Sequence, residues 1–310
     1  MATTTTYKTV GQRTRRLDSP PKLTGTERFT GDLSLPGMLY TRIVGSDLAH
    51  ARIASVSKDA ALAVPGVVAV LTNADLPIHT DENEAPVAEL LAAEEALYVG
   101  HPVALVLAET DIAAQDAAEL VEIEYEPLPV VSDIHEAIKE DAPLVSEAKS
   151  GAFEEEAAMH NADAASAGGQ DENLPPNVTN SVNFTRGDVE QGFAEADEVV
   201  ELDLRSVAVH QGYIEPQVAL ASPDLFERMT IYTSTQGAFH GRQKVADTLG
   251  LPLESVNIVP MPVGGGFGGK FVLIEPLVAA AARAVNRPVL LQYTRTDDFL
   301  TGNPAPRRIV

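Results

Sequence analysis

Met38–Val44 alternates apolar and polar side chains with the period of two that a half-buried strand requires. Gly66–Thr72 and Val103–Ala108 are short apolar runs of the kind that suits strands covered on both faces. Thr110–Val121 instead sets Ile112, Ala113, Asp116, Ala117 and Leu120 near helical spacing, and Val121–Tyr125 returns to a strand pattern. Past residue 180, strands are predicted over 198–209, 229–235, 256–259 and 288–293. Two helices separate them. In one, Phe239, Gln243, Ala246 and Leu249 share a face and Gly250 with Pro252 stops the helix; the other is an alanine-rich stretch from Pro276 to Val285. The apolar strand at 288–293 has no evident partner in the sequence, so a second polypeptide is expected to cover its edge.

The pattern breaks between residues 136 and 180, where Glu154–Glu156, Ala164–Gly169 and Pro175–Pro176 lack the apolar content to order themselves. The expected organisation is therefore an extended arm at 1–20, a mixed α/β domain at 21–135, an acidic flexible linker at 136–180 and a second domain at 181–310. The fold class is α+β, and 310 residues suffice for two cores.

Composition narrows the chemistry. The chain has no cysteine, which excludes a thiolate iron–sulfur cluster, a zinc–thiolate site, a disulfide framework and a cysteine nucleophile within it. A net charge of −23 argues against a nucleic-acid surface, which needs Lys and Arg to displace counterions. No apolar run has the length of a membrane span, and Met1–Thr6 carries no apolar signal core, so a cytoplasmic location is expected.

The least ordinary stretch is Val263–Phe271, in which Gly264, Gly265, Gly266, Gly268 and Gly269 surround Phe267 between a predicted strand and a predicted helix. Such density marks backbone at positive φ or in close approach to something that excludes a Cβ. Gly264, Gly269 and Lys270 satisfy the spacing of a phosphate-binding P-loop, but Phe271 stands where a magnesium-holding Ser or Thr is needed. A tight packing corner and a cofactor-holding loop are the other two readings.

The order of several separated motifs decides among them. Arg16-Leu17-Asp18, Leu23-Thr24-Gly25, Pro36–Tyr40, Ser46–Ile53 and Val99–Ala104 resemble the hammerhead domain of the xanthine dehydrogenase and aldehyde oxidase family, with His101 where a glutamine is usual. Tyr213-Ile214-Glu215-Pro216, Ser234-Thr235-Gln236 and Gly264–Lys270 resemble the start of that family's molybdopterin-binding domain. The resemblance implies a molybdenum hydroxylase subunit of the nicotinate or carbon monoxide dehydrogenase type, the N-terminal part of a split large chain. It implies that Gln236 hydrogen-bonds an oxo ligand of molybdenum and that Gly265, Gly266, Phe267, Gly268 and Gly269 approach the metal centre and its cofactor. It also implies molybdenum–molybdopterin, in the cytosine dinucleotide form, shared with a second molybdopterin-binding chain that carries the catalytic glutamate base, with 2Fe-2S clusters and FAD on further subunits. Phe271 would line the substrate pocket; purine-oxidising relatives place a glutamate there, so an N-heterocycle such as nicotinate, an aldehyde or carbon monoxide fits better than xanthine. Glu215, His210 and His101 read as structural groups. The alternative is a non-catalytic scaffold or cofactor-insertion protein that keeps the fold.

Overall fold

A computed structural model describes residues 8–80, 86–146, 175, 177–178 and 186–309, so most of the predicted linker lies outside the described residues. The strands in chain order are β1 (Leu39–Gly45), β2 (Ala51–Ser57), β3 (Val67–Thr72), β4 (Glu95–Ala96), β5 (Pro102–Ala108), β6 (Glu122–Pro127), β7 (Val218–Pro223), β8 (Met229–Thr233), β9 (Val256–Pro260) and β10 (Val289–Gln292). Seven of them form one sheet in the order β3-β5-β1-β10-β7-β8-β9, and β4-β2-β6 form a second. All the predicted strands except 198–209 occur within two residues of their expected ends.

Strand β5 shows why the apolar runs read as they do. It pairs antiparallel with β3 on one side and β1 on the other. Its Leu105 and Leu107 enter a core with Leu39, Ile231, Leu291 and the helices Ala238–Leu249 and Glu275–Val285. Its Ala104 and Val106 enter another, beneath the helix Asp111–Ala118. Coverage on both faces leaves no position for a polar side chain. Each Leu or Val buried this way contributes roughly 2 kcal/mol.

The sheet is continuous across the two regions predicted as separate domains. β1 runs parallel to β10 with Leu39 opposite Val289, and β10 pairs antiparallel with β7 on its other side. The strand expected to sit unpaired at 288–293 is thus interior, and one of its two neighbours, β1, lies about 250 residues earlier in the same chain. Local sequence gives no sign of so distant a pairing.

Three further expectations are corrected. Residues 198–209 join neither sheet and are exposed; among the described residues they are held by bridges from Arg205 to Ile309 and Val209 to Ala305 and by Arg308 N donating to Ser206 Oγ at 3.0 Å, with Val200 80% exposed. In the helix Ala238–Leu249 the buried positions are Gly241, Val245, Ala246, Thr248 and Leu249, while Phe239 and Gln243 face outward. Two overlapping stripes fit the helical period there, and the core takes the second. In Asp111–Ala118, Ala114 and Ala117 face inward and Ile112 does not, for the same reason.

Candidate functional site

Strand pairing assembles the site. β8 runs parallel to β9 with Thr233 opposite Pro260, so the C-terminal ends of both strands lie at one edge of the sheet. The segment leaving β8 carries Gln236, and the segment leaving β9 is the glycine loop, so the two meet where parallel strands open toward a ligand. Gln236 N donates to Lys270 O at 2.7 Å.

The Gln236 side chain is then oriented by the loop. Its Oε1 accepts from Gly268 N at 3.1 Å and from Lys270 N at 3.3 Å. Both bonds require the oxygen end, so the amide nitrogen faces away from the loop and has no protein partner among the described residues. Gly266 must be glycine for this to happen, because a Cβ there would lie 2.5 Å from Gln236 Oε1. A Cβ on Gly264 would meet Glu215 Cβ at the same 2.5 Å. Gly265 and Gly268 hold φ of +103° and +88°.

Phe267 occupies the left-handed region too, at φ +51°, which costs an aromatic residue about 1–2 kcal/mol. Its ring is 76% exposed and recovers little of that by packing. Strain of this kind collects at functional sites. The N–H groups of Gly265, Gly266 and Phe267 have no acceptor among the described residues, which leaves three consecutive donors at the tip of the loop. Phe271 turns the other way. Its ring lies against Gly237, immediately after Gln236, and meets His240 edge-on at 6.4 Å.

Behind the loop lies a buried polar layer. Lys270 is 1% exposed and its Nζ pairs with Glu215 Oε2 at 2.6 Å, above the Tyr213 ring. Burial holds the lysine pKa below its ordinary value, and the Glu215 carboxylate opposes that shift. Glu215 Oε2 also accepts from Gly264 N at 2.8 Å. These contacts remove the P-loop reading, since Lys270 points into the protein and the next helix begins only at Glu275, without a side-chain cap. They also hold Glu215 by one carboxylate oxygen, Oε2, while its Oε1 has no partner among the described residues. Gln217 Nε2 donates to Gly269 O at 2.8 Å and to Tyr213 Oη at 2.9 Å, and Tyr213 donates to the fully buried Asp298 at 3.0 Å. Burial, with Asp298 beside it, raises the Tyr213 pKa. His210 packs on Tyr213 and Phe299 below the loop. His101 is elsewhere, stacked on Tyr98 and accepting from Leu97 N at 3.2 Å; burial holds its pKa down to about 4. Sequence reasoning missed Gln217 and Asp298; Gln217 directly follows the Tyr213–Pro216 motif, which was the only available sign.

The site is rich in hydrogen-bond donors and poor in metal ligands. Among the described residues no three His, Asp or Glu side chains are grouped to hold a metal ion. A metal at this loop would have to bring its own ligand set. The profile of the aldehyde oxidase and xanthine dehydrogenase a/b hammerhead domain matches residues 24–129, and that of the molybdopterin cofactor-binding domain matches 170–309. The chain belongs to the xanthine dehydrogenase and aldehyde oxidase family. Members of this family of molybdenum hydroxylases are molybdenum-dependent oxidoreductases. Among relatives, a probable xanthine dehydrogenase subunit of Bacillus subtilis (strain 168) is 33% identical over 289 residues, covering 93% of this chain and 35% of the relative. The gamma chain of the 6-hydroxypseudooxynicotine dehydrogenase complex of Paenarthrobacter nicotinovorans is 34% identical over 317 residues, covering 96% of this chain and 36% of its own length. The reconstituted CO dehydrogenase of Oligotropha carboxidovorans aligns with a TM-score of 0.76 at 29% identity, over 96% of this chain and 36% of that one. The chain thus spans about a third of the length of the relatives it matches. Its fold is the hammerhead domain joined to a molybdopterin-binding domain of this family.

Proposed function

We propose that this chain forms one wall of the molybdopterin site in a hydroxylase that oxidatively hydroxylates an electron-poor carbon with water as the oxygen source. The observation that carries the reading is Gln236: its oxygen is consumed by the loop and its nitrogen is left as an outward donor. An amide donor does not titrate, and a low-dielectric site makes each such bond count for more than in water. When bound, the molybdenum–pterin group supplies the two-electron redox chemistry. The chain's own residues hold and orient it: Gln236 Nε2 and the N–H groups of Gly265, Gly266 and Phe267 donate to its acceptor atoms, and Gly268 and Gly269 let the backbone approach closely.

Phe271 gives the site an apolar flank beside Gln236 that offers no hydrogen bond to a purine. An N-heterocycle such as nicotinate, or an aldehyde, suits that flank better. Glu215 is tied up with Lys270, and the family resemblance assigns the general base to a second molybdopterin-binding chain. The 2Fe-2S and FAD groups that would accept the electrons are assigned to further subunits, in keeping with the lack of cysteine here and with relatives named as subunits. A cytosine dinucleotide form of the cofactor and a cytoplasmic location complete the reading.

The test is metal analysis of the complex purified natively through a tag on this chain, with mass spectrometry of the chains that accompany it. Molybdenum near one per chain, with iron and flavin on partners, is expected. A stable complex that never contains molybdenum, even from cells supplied with it, would sink the proposal and leave the scaffold reading in its place.

A further inference from the structure

The peptide between Gly269 and Lys270 is gripped from two sides. Its carbonyl accepts from Gln217 Nε2 at 2.8 Å, and its N–H donates to Gln236 Oε1 at 3.3 Å. In a trans peptide these two groups point in opposite directions, so one glutamine stands behind the loop and the other in front. We propose that Gln217 is a positioning residue that fixes which end of the Gln236 amide faces outward.

The direction of every bond behind the loop is determined. Asp298 is fully buried and paired with Arg295 Nη1 at 2.8 Å, and a carboxylate so paired only accepts. Tyr213 therefore spends its single proton on Asp298 and must accept its other bond. The group that donates to it is Gln217 Nε2, which has a second hydrogen directed at Gly269 O. Gln217 is 4% exposed, its backbone N–H also faces Asp298, and its nitrogen end has two acceptors waiting. Turning its amide over would set its oxygen against Gly269 O and leave Tyr213 Oη without a donor, at the cost of buried unpaired groups.

The consequence appears in front. While Gln217 holds the Gly269 carbonyl to the rear, the Lys270 N–H projects forward and joins that of Gly268 in demanding an acceptor, so Gln236 must offer its oxygen. Released from Gln217, the peptide is free to turn its carbonyl forward. Gln236 would then rotate its amide to donate to that carbonyl and would present oxygen outward, replacing a donor by an acceptor where an acceptor atom is to be held. Gln217 thus acts on the site through Gln236. What Gln236 meets outside the loop rests on the function proposed above; the clamp itself does not.

Residue-resolved hydrogen exchange on the purified complex tests it. In Gln217→Leu the Gly268 and Lys270 amides are expected to exchange about five- to tenfold faster, the effect of one lost net hydrogen bond. In Gln236→Ala they accelerate as well, and adding Gln217→Leu to Gln236→Ala accelerates them no further. Unchanged exchange in Gln217→Leu, or an equal acceleration in the presence and absence of the Gln236 amide, overturns the proposal. A merely structural Gln217 would lower the melting temperature in both backgrounds alike and give additive effects. Should Gln217→Leu fail to assemble, Gln217→Glu keeps the size but replaces the donor facing Gly269, and Tyr213→Phe removes the acceptor that orients Gln217; the same coupling is expected from both. In molybdenum-loaded complex, the Mo(V) electron paramagnetic resonance signal should change in Gln217→Leu and show no added change in the Gln236→Ala background. Absence of molybdenum from the wild-type complex would refute the proposed function and leave the exchange experiment standing.

Discussion

Replacing Lys270 by Met separates a structural Glu215 from a catalytic one. The lysine side chain is fully buried, the Glu215 side chain is 13% exposed, and the two are 2.6 Å apart. Without the ammonium, the carboxylate keeps one bond, from Gly264 N at 2.8 Å, and its Oε1 has no partner among the described residues. Breaking a buried pair by removing one member costs about 3–5 kcal/mol, far more than the pair contributes when intact. At roughly 2–4 °C per kcal/mol for a domain of this size, the melting temperature should fall by about 10 °C. The double variant Lys270→Met with Glu215→Gln removes both charges, and the glutamine oxygen still accepts from Gly264 N. It should recover all but about 1–2 kcal/mol, the cost of a buried amide nitrogen with no acceptor. The assay is thermal unfolding of the purified complex, followed in parallel by molybdenum content. Lys270→Met melting within about 2 °C of wild type, or a double variant no better than the single one, would refute the reasoning. Catalysis by Glu215 predicts a different pattern, in which Glu215→Gln alone abolishes turnover and leaves stability nearly intact.

Other outcomes follow from single contacts. His101 titrates near pH 4 in the folded chain, against 6.5 for a free imidazole, so the unfolded state binds more protons between those values. Stability present above pH 6.5 is therefore lost as pH falls toward 4, by up to about 3 kcal/mol, and His101→Gln should flatten the melting profile over that range; an unchanged slope removes the assignment. Gly266→Ala should push Gln236 out of its two loop bonds at a cost of about 1–2 kcal/mol and lower cofactor retention, yet cost almost nothing in a Gln236→Ala background. Phe267→Gly should raise stability by about 1 kcal/mol through relief of the left-handed backbone while weakening cofactor retention, measured by melting and metal content; a destabilised variant would show that the ring packs against something essential.

Which parts of this architecture could be read in advance follows from how local each cause is. The run Val103–Ala108 announces a doubly covered strand because burial acts on every residue in turn, and the glycine loop announces itself because a Cβ on Gly264 or Gly266 would clash with a neighbouring side chain at 2.5 Å. Strand 288–293 was misjudged because its neighbour, β1, is held by a pairing that no window of sequence contains. Residues 198–209 were misjudged in the opposite sense: alternation is necessary for a half-buried strand, but a sheet edge must also be present to receive it, and among the described residues this segment forms two isolated bridges. The same reasoning explains the uneven reading of the site. The motif around Gln236 is contiguous and marks that residue as a candidate, whereas the contacts of Gln217 run to Asp298, 81 positions further along, and to the loop peptide at Gly269. A buried polar side chain has no periodicity and no compositional mark; its purpose is written in the partners it reaches. A contiguous motif can single out a residue in the sequence, while the contacts that orient its side chain need the fold.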